Sequence, residues 1–566
     1  MKKKIIEFKD FGFKYRVQAE PTLKDINLTI YEGEKVLIVG PSGSGKSTLA
    51  HCLNGLVPFY YRGEMTGELK IDEEDIKTKN IFELSKVVGT VLQDPDSQFI
   101  GLTVGEDIAF KLENYCVEQK EMKEKVQKSA QLVDIDKELQ ASPYKLSGGQ
   151  KQRVTLAGVT VDEVKVLLFD EPLASLDPAT GKGAMELIHS IQKSENKTVV
   201  IIEHRLEDVL HCDVDRIVVM DNGRIVCDTT PNELLSTNVL GEVGVREPLY
   251  LTALKYAGCK ITPSLQPKNV NTLKVEKCKQ QIKNWFDNVK KDNKNSEDNT
   301  ILELKNVNFS YSEEKQILKN VSFKINKGDM VSIVGRNGAG KSTISKLICG
   351  FYKPTSGKIL FDGKDMVNDS IKERSEKIGF VMQNPNQMIS KTKVFDEVAF
   401  GLNIRGLNEK EVVEKVHKVL KTCGLYGYRN WPISALSFGQ KKRVTIAAIL
   451  VLNPEVIILD EPTAGQDFKH YTEIMEFLVE LNKKGVTVIM VTHDMHLMLE
   501  YTSNVIVLSD GQKIADDNAT NILTNRTIIE KANLKETSLH ELAIKCDIAD
   551  SVEFVNRFID YDRRVR

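Results

Sequence analysis

Short apolar runs punctuate the chain at matched places. Val36–Val39 and Met330–Val334 end at glycines, Leu167–Phe169 and Ile457–Leu459 end at Asp-Glu pairs, and Thr198–Ile202 and Thr487–Val491 end beside a histidine. Such runs alternating with helical stretches predict the strands of a parallel sheet covered on both faces, an α/β architecture. Ligands then gather beyond the carboxyl ends of the strands, where these punctuating residues fall. Leu249–Gly258 is apolar enough to pack, and residues 526–566 mix apolar and charged positions at helix-like spacing, predicting a small helical C-terminal appendix. The longest apolar stretches, such as Val166–Phe169 and Val199–Ile202, fall far short of the roughly 18 residues of a spanning helix, so no membrane crossing is expected.

The same pattern occurs twice. Gly40-Pro41-Ser42-Gly43-Ser44-Gly45-Lys46-Ser47-Thr48 returns as Gly335-Arg336-Asn337-Gly338-Ala339-Gly340-Lys341-Ser342-Thr343, Leu146–Gln150 as Leu436–Gln440, and Val166–Pro172 as Val456–Pro462. Three landmarks in one order at a nearly constant offset mark a tandem duplication. The predicted division is 1–235 and 301–525 for the two copies, 236–300 for a linker and 526–566 for the appendix. Within the linker, residues 271–300 carry seven Lys, five acids and six Asn around Trp285-Phe286, the composition of a solvated coil.

Composition narrows the class. The 566 residues hold 78 Lys plus Arg against 80 Asp plus Glu, a formal net charge of −2, which excludes a protein that seeks polyanions through its overall charge. The nine cysteines are scattered with no Cys-x-x-Cys pair, which points to reduced thiols and against a disulfide framework or a thiolate metal site. His493 and His496 lack neighbouring ligands. The start, Met1–Glu7, is charged and lacks the apolar core of a secretory signal, so a cytosolic chain is expected.

Gly-x-x-x-x-Gly-Lys-Ser after a strand is a P-loop. Gly40, Ser42, Gly43 and Gly45, with Gly335, Asn337, Gly338 and Gly340 in the second copy, turn backbone N–H groups around a phosphate at a helix N-terminus. Lys46 and Lys341 supply charge to the β- and γ-phosphates, Ser47 and Ser342 ligate Mg²⁺, and Thr48 and Thr343 complete the motif. Asp170 and Asp460 at the strand ends hold Mg²⁺ through water, while Glu171 and Glu461 polarise the water that attacks the γ-phosphate. ATP and Mg²⁺ are the expected cofactors.

Leu146-Ser147-Gly148-Gly149-Gln150, between the P-loop and the Asp-Glu strand, resembles the signature of ABC-type ATPases, and the resemblance covers both copies. It implies two ABC-type P-loop domains in tandem, each a parallel-sheet core with a helical subdomain. In that family Gln93 and Gln383 match the residue sensing Mg²⁺ and water, His204 and His493 the γ-phosphate contact, Asp177 and Asp467 a loop at the dimer interface, and Tyr15 and Tyr311 the aromatic on adenine. The signature completes the opposing copy's site, so the resemblance places Ser437 and Gly439 over Lys46, and Ser147 and Gly149 over Lys341, in an internal pseudo-dimer. Phe438 departs from the pattern where the first signature glycine stands, and Ala464-Gly465-Gln466-Asp467 differs from Ala174-Ser175-Leu176-Asp177. Both departures predict modest asymmetry between two active sites.

Asp94-Pro95-Asp96-Ser97-Gln98-Phe99 after Gln93, Asn384-Pro385-Asn386-Gln387-Met388-Ile389 after Gln383, and Ile202-Glu203-His204-Arg205 resemble the ATPases of energy-coupling-factor (ECF) importers of vitamins and metal ions. That resemblance implies peripheral attachment at the cytoplasmic face, through a transmembrane coupling protein and a separate substrate-binding membrane subunit. Fused tandem ATPases of this kind resemble those of thiamine-precursor or other vitamin uptake, with cobalt or nickel also open as cargo and no residue choosing among them. The run ending in Phe99 or Met388 is expected to offer a groove to a partner helix. Two alternatives stand beside it: a tandem sugar-importer ATPase, usually degenerate in one copy, and a soluble tandem ABC protein acting on ribosomes, which carries a long charged arm. The net +2 of 271–300 and its lack of helical periodicity argue against nucleic-acid binding.

Overall fold

The computed structural model describes residues 2–16, 18–93, 95–174, 176–289, 299–312 and 315–565. Asp94, Ser175 and the end of the expected linker, 290–298, lie outside the described residues. The chain forms two compact units: Met1–Asp287 with Asp467–Lys469 and Glu541–Ile548, and Asn288–Gln466 with His470–His540 and Ala549–Arg566.

In the first unit a six-stranded sheet runs in the order Arg224–Thr229, Arg216–Asp221, Lys35–Val39, Thr198–Ile202, Val166–Asp170, Val88–Val91. Its inner pairs are parallel, with Ile38 opposite Ile202 and Asp170 also opposite Ile202. Lys35–Val39 and Thr198–Ile202 are buried at every position, as Val- and Ile-rich strands covered on both faces must be. The second unit repeats the sheet as Ile378–Val381, Val456–Asp460, Thr487–Val491, Met330–Gly335, Asn504–Ser509, Gln512–Asp517. The strands predicted from the apolar runs are all present, each within a residue or so of its expected ends.

Each unit also holds a four-stranded antiparallel sheet that the apolar runs do not announce. Lys4–Tyr15 pairs with Leu23–Tyr31 and Gly63–Ile71 in the first unit, and Thr300–Ser312 pairs with Lys315–Asn326 and Ser356–Phe361 in the second. Its signal is alternation: in Leu23–Tyr31 the residues Leu23, Ile26, Leu28 and Ile30 are buried between more exposed polar neighbours. The core lies between the two sheets around the P-loop helix, where Phe8, Phe11, Val36, Ile38, Leu49 and Leu53 are sealed. A helical subdomain follows in each unit, with Val104–Asn114, Gln119–Leu132 and Gly148–Thr160 matched by Val394–Ile404, Glu409–Thr422 and Phe438–Leu450.

The stretch read as a solvated coil differs from expectation up to residue 289. Lys279–Asn288 is a helix, and Leu273, Val275, Cys278 and Ile282 are buried while the charged residues between them face outward. Polar composition hid this, because four apolar residues at the right spacing suffice to seat a segment. Beyond Asn525 the chain continues through helices Arg526–Ala532, Ser538–Lys545 and Ser551–Val565, with Phe554, Val555 and Phe558 sealed in the last.

Candidate nucleotide site

In the first unit, strand Lys35–Val39 runs into Gly40 and helix Lys46–Leu53 begins after Gly45, whose φ of 100° only glycine adopts readily. A Cβ there would stand 2.8 Å from Cδ2 of Leu23. No side chain caps this helix, so its first amides are open to an anion. Lys46 is 5% exposed, and its Nζ donates to the carbonyls of Gly40 at 2.7 Å and Pro41 at 2.8 Å, at the centre of the loop. Burial lowers its pKa to about 8, opposed by the carboxylates of Glu171 and Asp170. Its third partner is the Ser44 hydroxyl at 3.5 Å, and a buried cation held only by neutral oxygens favours an incoming phosphate. Ser42, Gly43, Lys46, Ser47, Glu171 and His204 are among the residues that line a cleft of about 620 Å³ here, the size of a small-molecule site. Tyr15 stands at its edge and shares a hydrogen bond of 3.0 Å with the Thr48 hydroxyl.

Glu171 follows the strand ending at Asp170 with a φ of 49°, a left-handed backbone rare for this residue type. Its Oε2 accepts from Nε2 of Gln93 at 2.6 Å, and Nε2 of His204 lies 2.9 Å from its Oε1. Burial, then the charge of Glu171, raises the Asp170 pKa to about 6. Two carboxylates side by side in a half-dry cleft repel, and a divalent cation with oxygen ligands relieves that repulsion. Behind them Glu203, 2% exposed, accepts from the amides of Leu173, His204 and Arg205, at 3.2, 3.0 and 3.3 Å. Sequence reasoning gave Glu203 no such role.

The second unit repeats the arrangement less tightly. Nζ of Lys341 donates to the carbonyls of Gly335 at 2.8 Å and Arg336 at 3.0 Å. A Cβ on Gly340 would meet Cδ2 of Leu318 at 2.5 Å, and Gly338 also has positive φ. Ser342 Oγ donates to Asp460 Oδ2 at 3.2 Å, which sets a hydroxyl beside a carboxylate, the all-oxygen chemistry that suits Mg²⁺. Asn337 belongs to the same loop, and Tyr311 bonds the Thr343 hydroxyl at 3.2 Å. Glu461 has a φ of 45°. Nε2 of His493 is 3.5 Å from its Oε1, and Thr492 donates to its Oε2 at 3.4 Å. Burial, then Asp460, pushes the Glu461 pKa up to about 8. Among the described residues, Gln383 makes no bond to Glu461.

Each signature serine caps a helix. The Gln150 amide donates to Ser147 Oγ and the Gln440 amide to Ser437 Oγ, while the glutamine side chains accept from the serine amides, a reciprocal capping box. Gly149 is needed because a Cβ would meet Thr180 Cγ2 at 2.6 Å, and at Gly439 it would meet His470 Cδ2 at 3.2 Å. Phe438 is the first residue of its helix, and Gly148, which it replaces, has no positive φ either. Phe438 therefore meets no backbone conflict at this position. Asp177 caps the helix Pro178–Glu195 by accepting from the Thr180 amide at 2.9 Å. The groove expectation also shifts. Phe99 is 7% exposed and packs edge-on to Tyr144, and Met388 Sδ accepts from the Met382 amide, so both are anchors. Among the large apolar residues left exposed in these subdomains are Ile100, Leu102 and Tyr144, with Phe400 and Trp431 in the second unit.

A family profile described as ABC transporter matches residues 23–174 and 318–464, and one described as ATP-binding cassette cobalt transporter matches 237–309. A Clostridium perfringens strain 13 protein named as an ABC transporter ATP-binding protein is 64% identical over the whole of both chains, and one of Enterococcus faecalis is 56% identical, again over the whole of both. A solved structure, cbiO1 of Clostridium perfringens, described as part of the ABC transporter complex cbiONQ, is 39% identical over 42% of this chain and 95% of its own, with a TM-score of 0.39. No helix among the described residues is long and apolar enough to cross a membrane. With the ABC transporter profile matching both copies and relatives 64% and 56% identical over the whole chain, the chain belongs to the ABC transporter family of ATP-binding proteins.

Proposed function

We propose that this chain hydrolyses ATP at two sites to energise an ECF-type importer, and that its cargo is a divalent transition-metal ion. The observation that carries the hydrolytic reading is Glu171, its carboxylate held between Gln93 and His204 beside Asp170 and facing a cleft that holds Lys46. In that geometry Glu171 takes a proton from water, Gln93 and His204 orient the carboxylate, and Lys46 with the open amides of its helix binds the phosphates. Mg²⁺ would be held by Ser47 with Asp170 and by Ser342 with Asp460, and supplies charge neutralisation at the phosphates. Tyr15 and Tyr311 carry the adenine.

The presence of a P-loop and a signature in each copy supports the composite reading, in which Ser437 and Gly439 complete the Lys46 site and Ser147 and Gly149 complete the Lys341 site. Joining both copies in one chain supplies an effective concentration on the order of millimolar, so one chain serves one transporter. The profile over 237–309 supports metal ions over vitamins as cargo. Retention of Lys, Asp, Glu and His in both copies speaks against a sugar importer with one degenerate half. The partners are a transmembrane coupling protein and a substrate-binding membrane subunit. Ile100 and Leu102 in one unit, with Phe400 and Trp431 in the other, face the coupling protein.

The test is reconstitution in vesicles with those membrane subunits. ATP-dependent uptake of cobalt or nickel that stops in Glu171→Gln/Glu461→Gln supports the proposal, and uptake of a vitamin alone replaces the cargo. A cysteine crosslink from beside Ser147 to beside Lys341 forms within single chains if the sites are composite. Crosslinks only between chains would overturn that part.

A further inference from the structure

The two signature helices differ in charge at a matched, buried place. In the first copy it holds Gln152, 7% exposed, whose Nε2 donates to the carbonyl of Pro172 at 2.8 Å and whose Oε1 has no partner. In the second it holds Lys442, 1% exposed. Nζ of Lys442 donates to the carbonyls of Met382 and Gln383, each at 2.8 Å. Those carbonyls belong to the turn that leaves strand Ile378–Val381 and carries the Gln383 side chain.

A sealed ammonium destabilises a fold unless it is held. Burial pushes the Lys442 pKa down to about 8, and Asp460 and Glu461 act the other way. Charge-assisted bonds to two adjacent carbonyls hold a turn more firmly than one amide bond does. The brace from the signature helix thus runs to different places. In the first copy it ends next to Glu171, and the Gln93 amide is free to lie on the Glu171 carboxylate. In the second it ends on the glutamine turn itself, and Gln383 makes no bond to Glu461.

We propose that Lys442 is a positioning residue that locks the Gln383 turn to the signature helix, so that the second copy's glutamine moves with that helix and not with its own Glu461. The idea rests on the reading of Gln383 and Glu461 as partners in hydrolysis, and two independent readouts separate it from that reading.

The first readout is amide hydrogen exchange of the full chain. Lys442→Gln, which installs the first copy's residue, should speed exchange across Met382–Met388 about tenfold and leave Val91–Gln98 unchanged. The second readout is turnover in a Glu171→Gln background, where Lys442→Gln should lower kcat about tenfold with less than twofold change in KM for ATP. Lys442→Arg should restore most of both, and Lys442→Gln should add little to Gln383→Ala. Unchanged exchange at Met382–Met388 overturns the brace whatever turnover does. Equal loss of kcat with and without Gln383 overturns it as well. If the Glu171→Gln parent has no turnover, two-site hydrolysis fails, and faster exchange still upholds the brace.

Discussion

Gln93 donates from Nε2 to Oε2 of Glu171 at 2.6 Å, a bond that Gln383 does not make to Glu461. The matched histidines differ in the same sense, at 2.9 Å in the first copy and 3.5 Å in the second. One site holds its proposed base between two partners and the other holds it loosely. Glu171→Gln should therefore remove more than half of total ATP turnover and Glu461→Gln less than half, with the double variant down about 100-fold or more. Steady-state phosphate release measures all three. Equal losses from the two single variants would contradict the asymmetry.

The sites should also differ in pH response. The Glu461 pKa is pushed up to about 8, so its carboxyl gains the basic form only as pH rises through that value. In Glu171→Gln, where the second site alone turns over, kcat should climb between pH 6 and 9 with an inflection near 8. The Glu461→Gln protein should lack that inflection.

The Tyr15 hydroxyl is tied to Thr48, and in the proposed reading the ring is the surface offered to a base. Tyr15→Ala should weaken ATP binding about tenfold, the loss of one stacked base, while Tyr15→Phe should change it less than threefold. Titration with a fluorescent ATP analogue separates these outcomes, and equal losses would assign the effect to the hydroxyl.

Phe438 begins its helix at a place where Gly148 has ordinary helical backbone. Phe438→Gly should lower stability by no more than about 1 kcal/mol, glycine's cost in a helix, and change turnover less than twofold. Thermal melts and phosphate release check both halves of that statement.

The motifs that were legible in the sequence are those where the backbone imposes a residue type. Gly45 and Gly340 must lack a Cβ, Ser147 and Ser437 must cap with a glutamine three residues on, and Asp170 and Asp460 end strands too apolar to be anything else. The antiparallel sheets were less plain, because their alternation is weak beside the continuous runs of the parallel strands. Glu203, Gln152 and Lys442 were illegible for another reason. Gln152 meets Pro172 and Lys442 meets Met382 only after the chain has folded back, and a polar letter in a helix reads as solvated until its partner is known. Lys279–Asn288 was obscured by its charged outer face.

Glu171 and Glu461 both hold left-handed backbones, at φ values of 49° and 45°. Asparagine or glycine would rest there with less distortion. A lineage that kept this scaffold but gave up turnover would be free to drift toward those residues and gain heat resistance as it went inert. Glutamate at both junctions therefore stands against the preference of its own backbone, as the proposed hydrolytic role in each half requires.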